Sequence, residues 1–148
     1  MQLTGSHTFS APRQVMWDLL NDPEVLARIT PGVDTLEQTG PGQYQAVLHI
    51  KMGPINSTFN GALQVVDSKE PESYRLIIDV DGKIGQIAAE GHVRLADQDH
   101  ETTTVEVEGG SQLTGRLASM GQRLLSGVAR MFTNQFFKAL EREVAIRN

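Results

Sequence analysis

The stretch GRLASMGQRLLSGVARMFTNQFFKAL, residues 115–140, decides the fold of this chain. Its apolar residues recur at helical spacing, which predicts one long helix near the end of the sequence. Gly121 and Gly127 would then lie in the interior of that helix. Because each interior glycine costs about 0.5–1 kcal/mol relative to alanine, two of them in the longest helix need a physical reason.

A helical projection at about 100° per residue gives this stretch one broad apolar face. Gly121 falls at the centre of that face, where it removes side-chain volume. Two interpretations stay open for it: close packing against an aromatic residue of a strand, or a cavity kept open for a ligand. Gly127 and Phe137 fall toward the polar side. The predicted apolar face consists of Leu117, Met120, Gly121, Leu124, Leu125, Val128, Met131, Phe132, Gln135, Phe136, Ala139 and Leu140.

Polar residues of the same helix define two further candidate sites. Gln135 lies within the apolar face, so its amide either bonds to sheet backbone or water, or contacts the head group of a ligand. Arg116, Arg123 and Arg130 recur every seven residues on the outer face, and Lys138 lies near this row. The row is either a solvated surface or a docking surface for an acidic partner or an anionic membrane.

Two short helices are predicted after a first strand at residues 2–10. Ser10 is a candidate N-cap for the first helix, with Pro12 in its first turn. Asp22 is the candidate N-cap of the second, and Pro23 occupies its first helical position. A Pro-Gly pair at residues 31–32 ends the second helix.

A block of alternating apolar and polar residues fills the middle of the chain and predicts strands. Such alternation is typical of an antiparallel sheet with one covered face. The fold class is therefore α+β: a curved sheet of about six or seven strands wrapped on the long C-terminal helix, in a single domain over residues 1–148. The predicted strands cover residues 43–52, 57–66, 73–80, 85–96 and 102–110, with a weaker one at 33–40.

Composition excludes several classes of function. The chain has 148 residues, a net charge of −5 and no cysteine. It therefore has no disulfide, thiolate metal site or cysteine nucleophile, and its acidity argues against general nucleic-acid binding. Residues 115–148 hold six basic and two acidic side chains, a charge of +4, which leaves −9 for the rest. The last helix is thus predicted to be a basic element on an acidic body.

No catalytic or metal-binding pattern is visible in the sequence. The histidines have no metal-ligand spacing, and no nucleophile elbow or phosphate-binding loop occurs. His7 has inward strand parity, so it is either a hydrogen-bonded core histidine or a polar group in a cavity. An enzyme would need a polar dyad there, and His7 with Tyr44 or Gln135 is the only pairing to propose. The histidines are His7, His49, His92 and His100.

Three stretches, in this order, resemble the family of the carbon monoxide dehydrogenase G-subunit. They are VMWDLLNDPEVLARITPGV at 15–33, MGPINSTFNGALQV at 52–65, and GRLASMGQRLLSGVARMFTNQFF at 115–137. The family belongs to the helix-grip superfamily of START and polyketide-cyclase-like proteins. The resemblance implies a non-catalytic accessory protein that binds a hydrophobic molecule such as a lipid or quinone. It also implies a cytoplasmic protein, peripheral to the inner membrane face, that helps a carbon monoxide dehydrogenase-type molybdenum hydroxylase reach the membrane or its electron acceptor.

The leading hypothesis places the apolar tail of a ligand between the sheet and the helix, with no cofactor or metal. The alternatives are a cyclase- or dehydratase-like enzyme that uses the same cavity, and a structural adaptor with a packed core. The docking residues are Arg116, Arg123, Arg130 and Lys138. The ligand-binding residues are Trp17, Leu26, Ile50, Phe59, Leu63, Ile78, Ile87, Leu117, Met120, Gly121, Leu124, Val128 and Gln135.

Overall fold

A computed structural model describes residues 2–147 of the chain. A first strand precedes two short helices, six further strands follow, and two helices end the described part. The strands are β1 (Gln2–Phe9), β2 (Val33–Gly40), β3 (Gln43–Met52), β4 (Ile55–Lys69), β5 (Ser73–Gly82), β6 (Gly85–Asp99) and β7 (Thr102–Leu113). The helices are α1 (Arg13–Leu20), α2 (Pro23–Ile29), α3 (Arg116–Ser119) and α4 (Gln122–Arg147).

The seven strands form one antiparallel sheet in the order β1-β7-β6-β5-β4-β3-β2. From β2 to β7, each strand pairs with its neighbour in sequence, as a meander joined by short turns does. β1 is the exception, because it pairs with the last strand, β7. The predicted α+β fold is therefore confirmed, with the weak strand at residues 33–40 present as β2.

The two short helices begin differently. The Asp22 carboxylate accepts a hydrogen bond from the backbone N–H of Glu24 at 3.0 Å, and Pro23 follows as the first helical residue, as predicted. Ser10 was the wrong choice of cap for α1. That helix begins at Arg13, with Pro12 in the cap position and no side-chain cap hydrogen bond. Ser10 precedes the cap position by two residues, which is too early for that role.

The C-terminal stretch forms two helices, and the prediction of one uninterrupted helix is wrong. The break lies at Gly121, whose φ of +93° is a conformation that L side chains rarely adopt. Its carbonyl accepts the first hydrogen bond of α4, from Leu125 N–H at 3.2 Å. A Cβ at this position would have no other atom within 4 Å. Backbone conformation therefore requires the glycine, and the prediction that Gly121 sits at the centre of a buried helix face is wrong.

The break also changes which face of α4 is buried. Phe137, predicted on the polar side, is only 5% exposed. Leu124 and Met131, predicted on the apolar face, are 43% and 45% exposed, and Gln135 is exposed as well. The predicted face was obtained by counting about 100° per residue from Leu117, which lies in α3. That count fails for α4, because Gly121 between the two helices is not helical. The buried residues of α4 are Leu125, Phe137, Leu140 and Val144.

The buried apolar side chains form two clusters, one at each end of the sheet's inward face. The first cluster joins α1, α2 and the C-terminal half of α4 to strand residues such as Tyr44, Tyr74 and Val105. The second cluster lies at the start of α4 and consists of Ile55, Phe59, Leu117 and Leu125. Between these two packed ends, the inward-facing side chains are only partly buried.

Candidate functional site

The middle of the inward sheet face carries small side chains. The strand register puts Ala46 opposite Gly61, Ala89 opposite Ser111, and Gly91 opposite Gly109. Their larger neighbours Leu48 and Ile78 are only half-buried, although their side chains point inward with those of the clusters. Neither residue belongs to the first or second cluster. We call this half-buried region the central belt, comprising Ala46, Leu48, Gly61, Ile78, Ala89, Gly91, Gly109 and Ser111.

The structure distributes the predicted ligand-binding residues over four places. Trp17 and Leu26 lie in the first cluster, and Leu63 packs against it. Ile78 lies in the central belt. Gly121, Leu124 and Gln135 are exposed, so the prediction that they point inward is wrong. The reason is that the break at Gly121 changes which side of α4 faces the sheet. The second cluster holds Phe59 and Leu117, with Ile50, Ile87, Met120 and Val128 packed against it.

Two tyrosines border the central belt on the side of the first cluster. The Tyr74 ring meets Trp17 edge to face, with centroids 5.4 Å apart. Burial raises the pKa of the Tyr74 hydroxyl above 10.0, with the nearby Tyr44 adding to the shift. The pKa of Tyr44 is raised by burial and then by the charge of Asp22. Both hydroxyls therefore stay protonated at neutral pH and can donate hydrogen bonds.

Sequence reasoning missed this pair as a unit. It considered Tyr44 only as a partner of His7 and gave Tyr74 no role. The inward parity of both residues on β3 and β5 was visible in the sequence. Their proximity depends on the position of β4 between the two strands, which the alternation pattern alone does not fix.

His7 lies away from these tyrosines, between β1 and α4. Its Nε2 donates to Glu141 Oε2 at 3.1 Å, and its ring stacks on Phe137 with centroids 5.7 Å apart. The pairing of His7 with Tyr44 is wrong, because four strands of the sheet separate β1 from β3. Its pairing with Gln135 is wrong as well, because Gln135 is exposed on α4 and does not lie in a cavity. Within residues 2–147, no group of three or more His, Cys, Asp or Glu side chains is placed to hold a metal ion.

The four predicted docking residues are all exposed, but they do not form one row. Arg116 lies on α3 and Arg123 on the first turn of α4, on either side of the break at Gly121. Arg130 and Lys138 instead line a groove of about 270 Å³ between β1 and α4. A second, shallower groove of about 290 Å³ lies over β1, β7 and β6, beside His92 and Glu106.

Two ion pairs tie α2 to the C-terminal part of α4. Arg28 Nε donates to Glu143 Oε1 at 2.9 Å, and this bond raises the pKa of the Arg28 guanidinium. Arg147 approaches Asp22 at 3.9 Å. Three of the four side chains, all but that of Glu143, are well exposed to solvent, so the contribution of these pairs to stability is small. They fix how the short helices meet α4 at the end of the sheet that holds the first cluster.

Comparison with known proteins identifies the family. The family model of the carbon monoxide dehydrogenase G-subunit (CoxG) matches residues 5–145, and the chain belongs to this family. Comparison with curated proteins gives no match. In the described part of the chain, no helix combines the length and apolarity needed to cross a membrane.

Solved structures confirm the helix-grip architecture. A conserved protein from Geobacillus kaustophilus is 30% identical, with a TM-score of 0.95 over 98% of this chain and 95% of its own. A START superfamily protein from Mycobacterium smegmatis is 12% identical, with a TM-score of 0.80 over 99% of both chains. The Zhui aromatase/cyclase from a Streptomyces species is 17% identical, with a TM-score of 0.72 over 99% of this chain and 94% of its own. At these last two identities the likeness concerns the fold alone.

Proposed function

We propose that this member of the CoxG family binds a hydrophobic small molecule, a lipid or a quinone, against its central belt. One observation carries the proposal: inward-facing apolar side chains such as Leu48 and Ile78 stay half-buried between two packed clusters. Small residues stand beside them on the same face, with Gly61 near Leu48 and Ala89 opposite Ile78. A molecule against these side chains would complete the core.

The energy available to an apolar tail is substantial. Removing apolar surface from water is worth about 25 cal/mol per Å², so a tail that covers about 150 Å² gains roughly 4 kcal/mol. The belt supplies this surface from three adjacent strands, with Leu48 on β3, Gly61 on β4 and Ile78 on β5. Ile50, Ile87, Met120 and Val128 would contact the tail where the belt meets the second cluster.

The tyrosine pair favours a particular head group. Two protonated hydroxyls donate hydrogen bonds to an acceptor oxygen. The charge of Asp22, which acts on Tyr44, disfavours a carboxylate at the same place. A neutral head group with carbonyl oxygens, as a quinone has, therefore fits this end of the belt better than a fatty acid does.

The accessory role follows from the family rather than from a catalytic group. We propose a non-catalytic protein that serves a carbon monoxide dehydrogenase-type molybdenum hydroxylase, in electron delivery or membrane recruitment. The exposed Arg116 and Arg123 would contact that enzyme or an anionic membrane surface. Co-sedimentation with vesicles that contain an anionic lipid tests the membrane contact, and replacing both arginines with glutamate should reduce the bound fraction.

Two neighbouring residues of β6 provide a matched test of the ligand site. Ala89 points into the central belt, whereas Ala88 is exposed on the opposite face. Ala89→Phe should fill the belt and Ala88→Phe should leave it open. The readout is quenching of Trp17, the single tryptophan of the chain, by a short-chain ubiquinone or by a brominated fatty acid, whose bromine atoms quench tryptophan. We expect Ala89→Phe to weaken ubiquinone binding at least ten-fold, with Ala88→Phe within two-fold of the parent.

Solvent extraction of freshly purified protein, followed by mass spectrometry, identifies the natural ligand. The parent and Ala88→Phe should release the same apolar molecule, and Ala89→Phe should release little. Equal release from both variants would place the ligand elsewhere. Absence of any apolar molecule, together with no quenching by either probe, would refute the binding function.

A further inference from the structure

The two edges of the sheet differ in a way that the proposed ligand site does not explain. β2, one edge, contains two register shifts and the acidic residues Asp34 and Glu37. β1, the other edge, pairs with β7 without a register shift, and its sequence QLTGSHTF contains no charged residue and no proline. Bulges, charges and prolines are the features by which natural sheets protect an edge from added strands. β1 has none of them, and within residues 2–147 its backbone has no hydrogen-bond partner other than β7.

The groove beside β1 follows that edge. Residues 3–7 of β1 all line it. Successive side chains of a strand point to opposite faces, so a groove that contacts five in a row must run along the strand's edge. Its other wall is α4, through Arg130, Thr133, Asn134, Phe137 and Lys138. These residues are spaced as one stripe of a helix. The groove therefore runs between a free strand edge and one helix face.

Its dimensions suit an extended chain. Five residues of a strand span about 16 Å at roughly 3.3 Å per residue. The α4 wall, from Arg130 to Lys138, spans about 12 Å at 1.5 Å per residue. Gly5 permits this arrangement, since a Cβ there would lie 3.4 Å from Thr133 Cγ2 and 3.7 Å from Phe137 Cε2. A larger side chain at that position would hold α4 away from β1.

The groove has a positive charge on the α4 side. Arg130 and Lys138 are exposed, and neither takes part in the ion pairs found within residues 2–147. No carboxylate lines this groove among residues 2–147. Glu141 bonds to His7, and Glu106 and Glu108 of β7 lie beside Ser6 and Thr4 along the other groove, over β1, β7 and β6. Thr4 and Ser6 supply hydroxyls on the opposite side of the strand. The walls therefore complement a strand with acidic side chains at one parity and polar side chains at the other.

We propose that this groove binds an extended acidic segment of a partner protein as an eighth strand beside β1. Backbone hydrogen bonds to the β1 edge would hold the segment, and its carboxylates would pair with Arg130 and Lys138. A second copy of this chain is a poorer occupant, because its β1 offers no carboxylate to the two cations and its acidic edge, β2, is interrupted by two register shifts. The interaction is separate from the ligand site of the central belt.

The first test measures charge recognition. The probe is a fluorescein-labelled octapeptide of alternating glutamate and threonine, and binding is followed by fluorescence anisotropy at low salt. Arg130→Glu combined with Lys138→Glu should weaken binding at least ten-fold. Lys51→Glu combined with Lys83→Glu makes the same charge change at exposed positions near strand ends outside the groove and should change binding less than two-fold. Equal loss in both double variants, or equal binding of a lysine–threonine octapeptide, would overturn the proposal.

The second test measures strand addition. Amide hydrogen exchange in β1, read by NMR, should slow at least ten-fold in the octapeptide complex, while exchange in β2 stays unchanged. An octapeptide with methylated backbone nitrogens should bind at least ten-fold more weakly. Unchanged exchange in β1 would overturn the proposal. So would a concentration-dependent dimer that protects β1 without peptide, because the occupant would then be a second copy.

Discussion

The two packed ends of the inward sheet face are built unequally. The first cluster is enclosed by α1, α2 and the C-terminal half of α4, and two ion pairs tie α2 to α4 around it. The second cluster has few fully buried members and is covered by the four-residue α3 and the start of α4. The first cluster therefore holds more of the buried apolar residues, whereas the second is covered by short helical structure with a break at Gly121. We expect the first cluster to contribute more to stability.

The largest expected effects on the free energy of unfolding come from truncating one buried leucine in each cluster. Leu140 in the first cluster and Leu117 in the second are both fully buried. Truncating a buried leucine costs about 2–5 kcal/mol, with the cost set by how far the surroundings can collapse. We expect Leu140→Ala near the top of that range and Leu117→Ala near the bottom, by urea denaturation. Equal losses would show that the two ends are equally well packed.

Amide hydrogen exchange shows which parts of the fold each of these two substitutions destabilises. Leu117→Ala should accelerate exchange in α3 and the first turn of α4, with little change in α1 and α2. Leu140→Ala should accelerate exchange throughout the sheet. A uniform response to Leu117→Ala would remove the distinction between the two ends.

The pH dependence of stability above pH 8 tests the packing of the first cluster, which contains Tyr74. Burial raises the folded-state pKa of the Tyr74 hydroxyl above its unfolded value of 10.0. Its protonated form therefore supports the fold below pH 10, and that support is lost as pH rises above the unfolded pKa. Thermal melts between pH 8 and 11 should show stability falling in the parent and falling less in Tyr74→Phe. Parallel pH profiles would contradict the burial of this hydroxyl.

The smallest expected effects on stability come from replacing Gly121 and Gly127, and the two replacements should have opposite signs. Gly121 has a φ of +93°, so Gly121→Ala should destabilise the protein by about 1 kcal/mol. Gly127 lies inside α4, where an added Cβ meets no atom within 4 Å. Gly127→Ala should therefore stabilise the protein by about 0.5–1 kcal/mol. Changes of the same sign in both variants, measured by urea denaturation, would refute this assignment.

Much of the architecture was predictable from the sequence, because alternation along strands and capping at Asp22 are local signals. The order of strand, two helices, strands and helix then selected the fold class. The rotation of α4 was not predictable in the same way. A glycine at a helix break and a glycine inside a helix look alike in sequence, and only the backbone angle at Gly121 separates them. As a result, Phe137 was wrongly predicted to be exposed, and Leu124 and Gln135 were wrongly predicted to be buried.

The residues of the candidate site were also predictable on the strands and less so on α4. Inward positions on strands, such as Ile78 and Phe59, followed from period-two alternation, and the structure places them on the inward face. Positions on α4 depended on a helical phase taken across the break, and several of them face solvent. The groove between β1 and α4 was not predictable, because it requires residues about 130 positions apart, such as His7 and Glu141, to be adjacent.

The pairing of β1 with β7 has a consequence for how the chain is made. Gln2 lies opposite Gly110, so β1 must wait for a partner that is synthesised about a hundred residues later. The hairpins from β2 to β7 close through short turns and carry a much smaller loop-closure entropy. Pulse-labelling of amides during refolding should therefore show β1 protected after the central strands. The strand of this sheet that is synthesised first is thus expected to join it last.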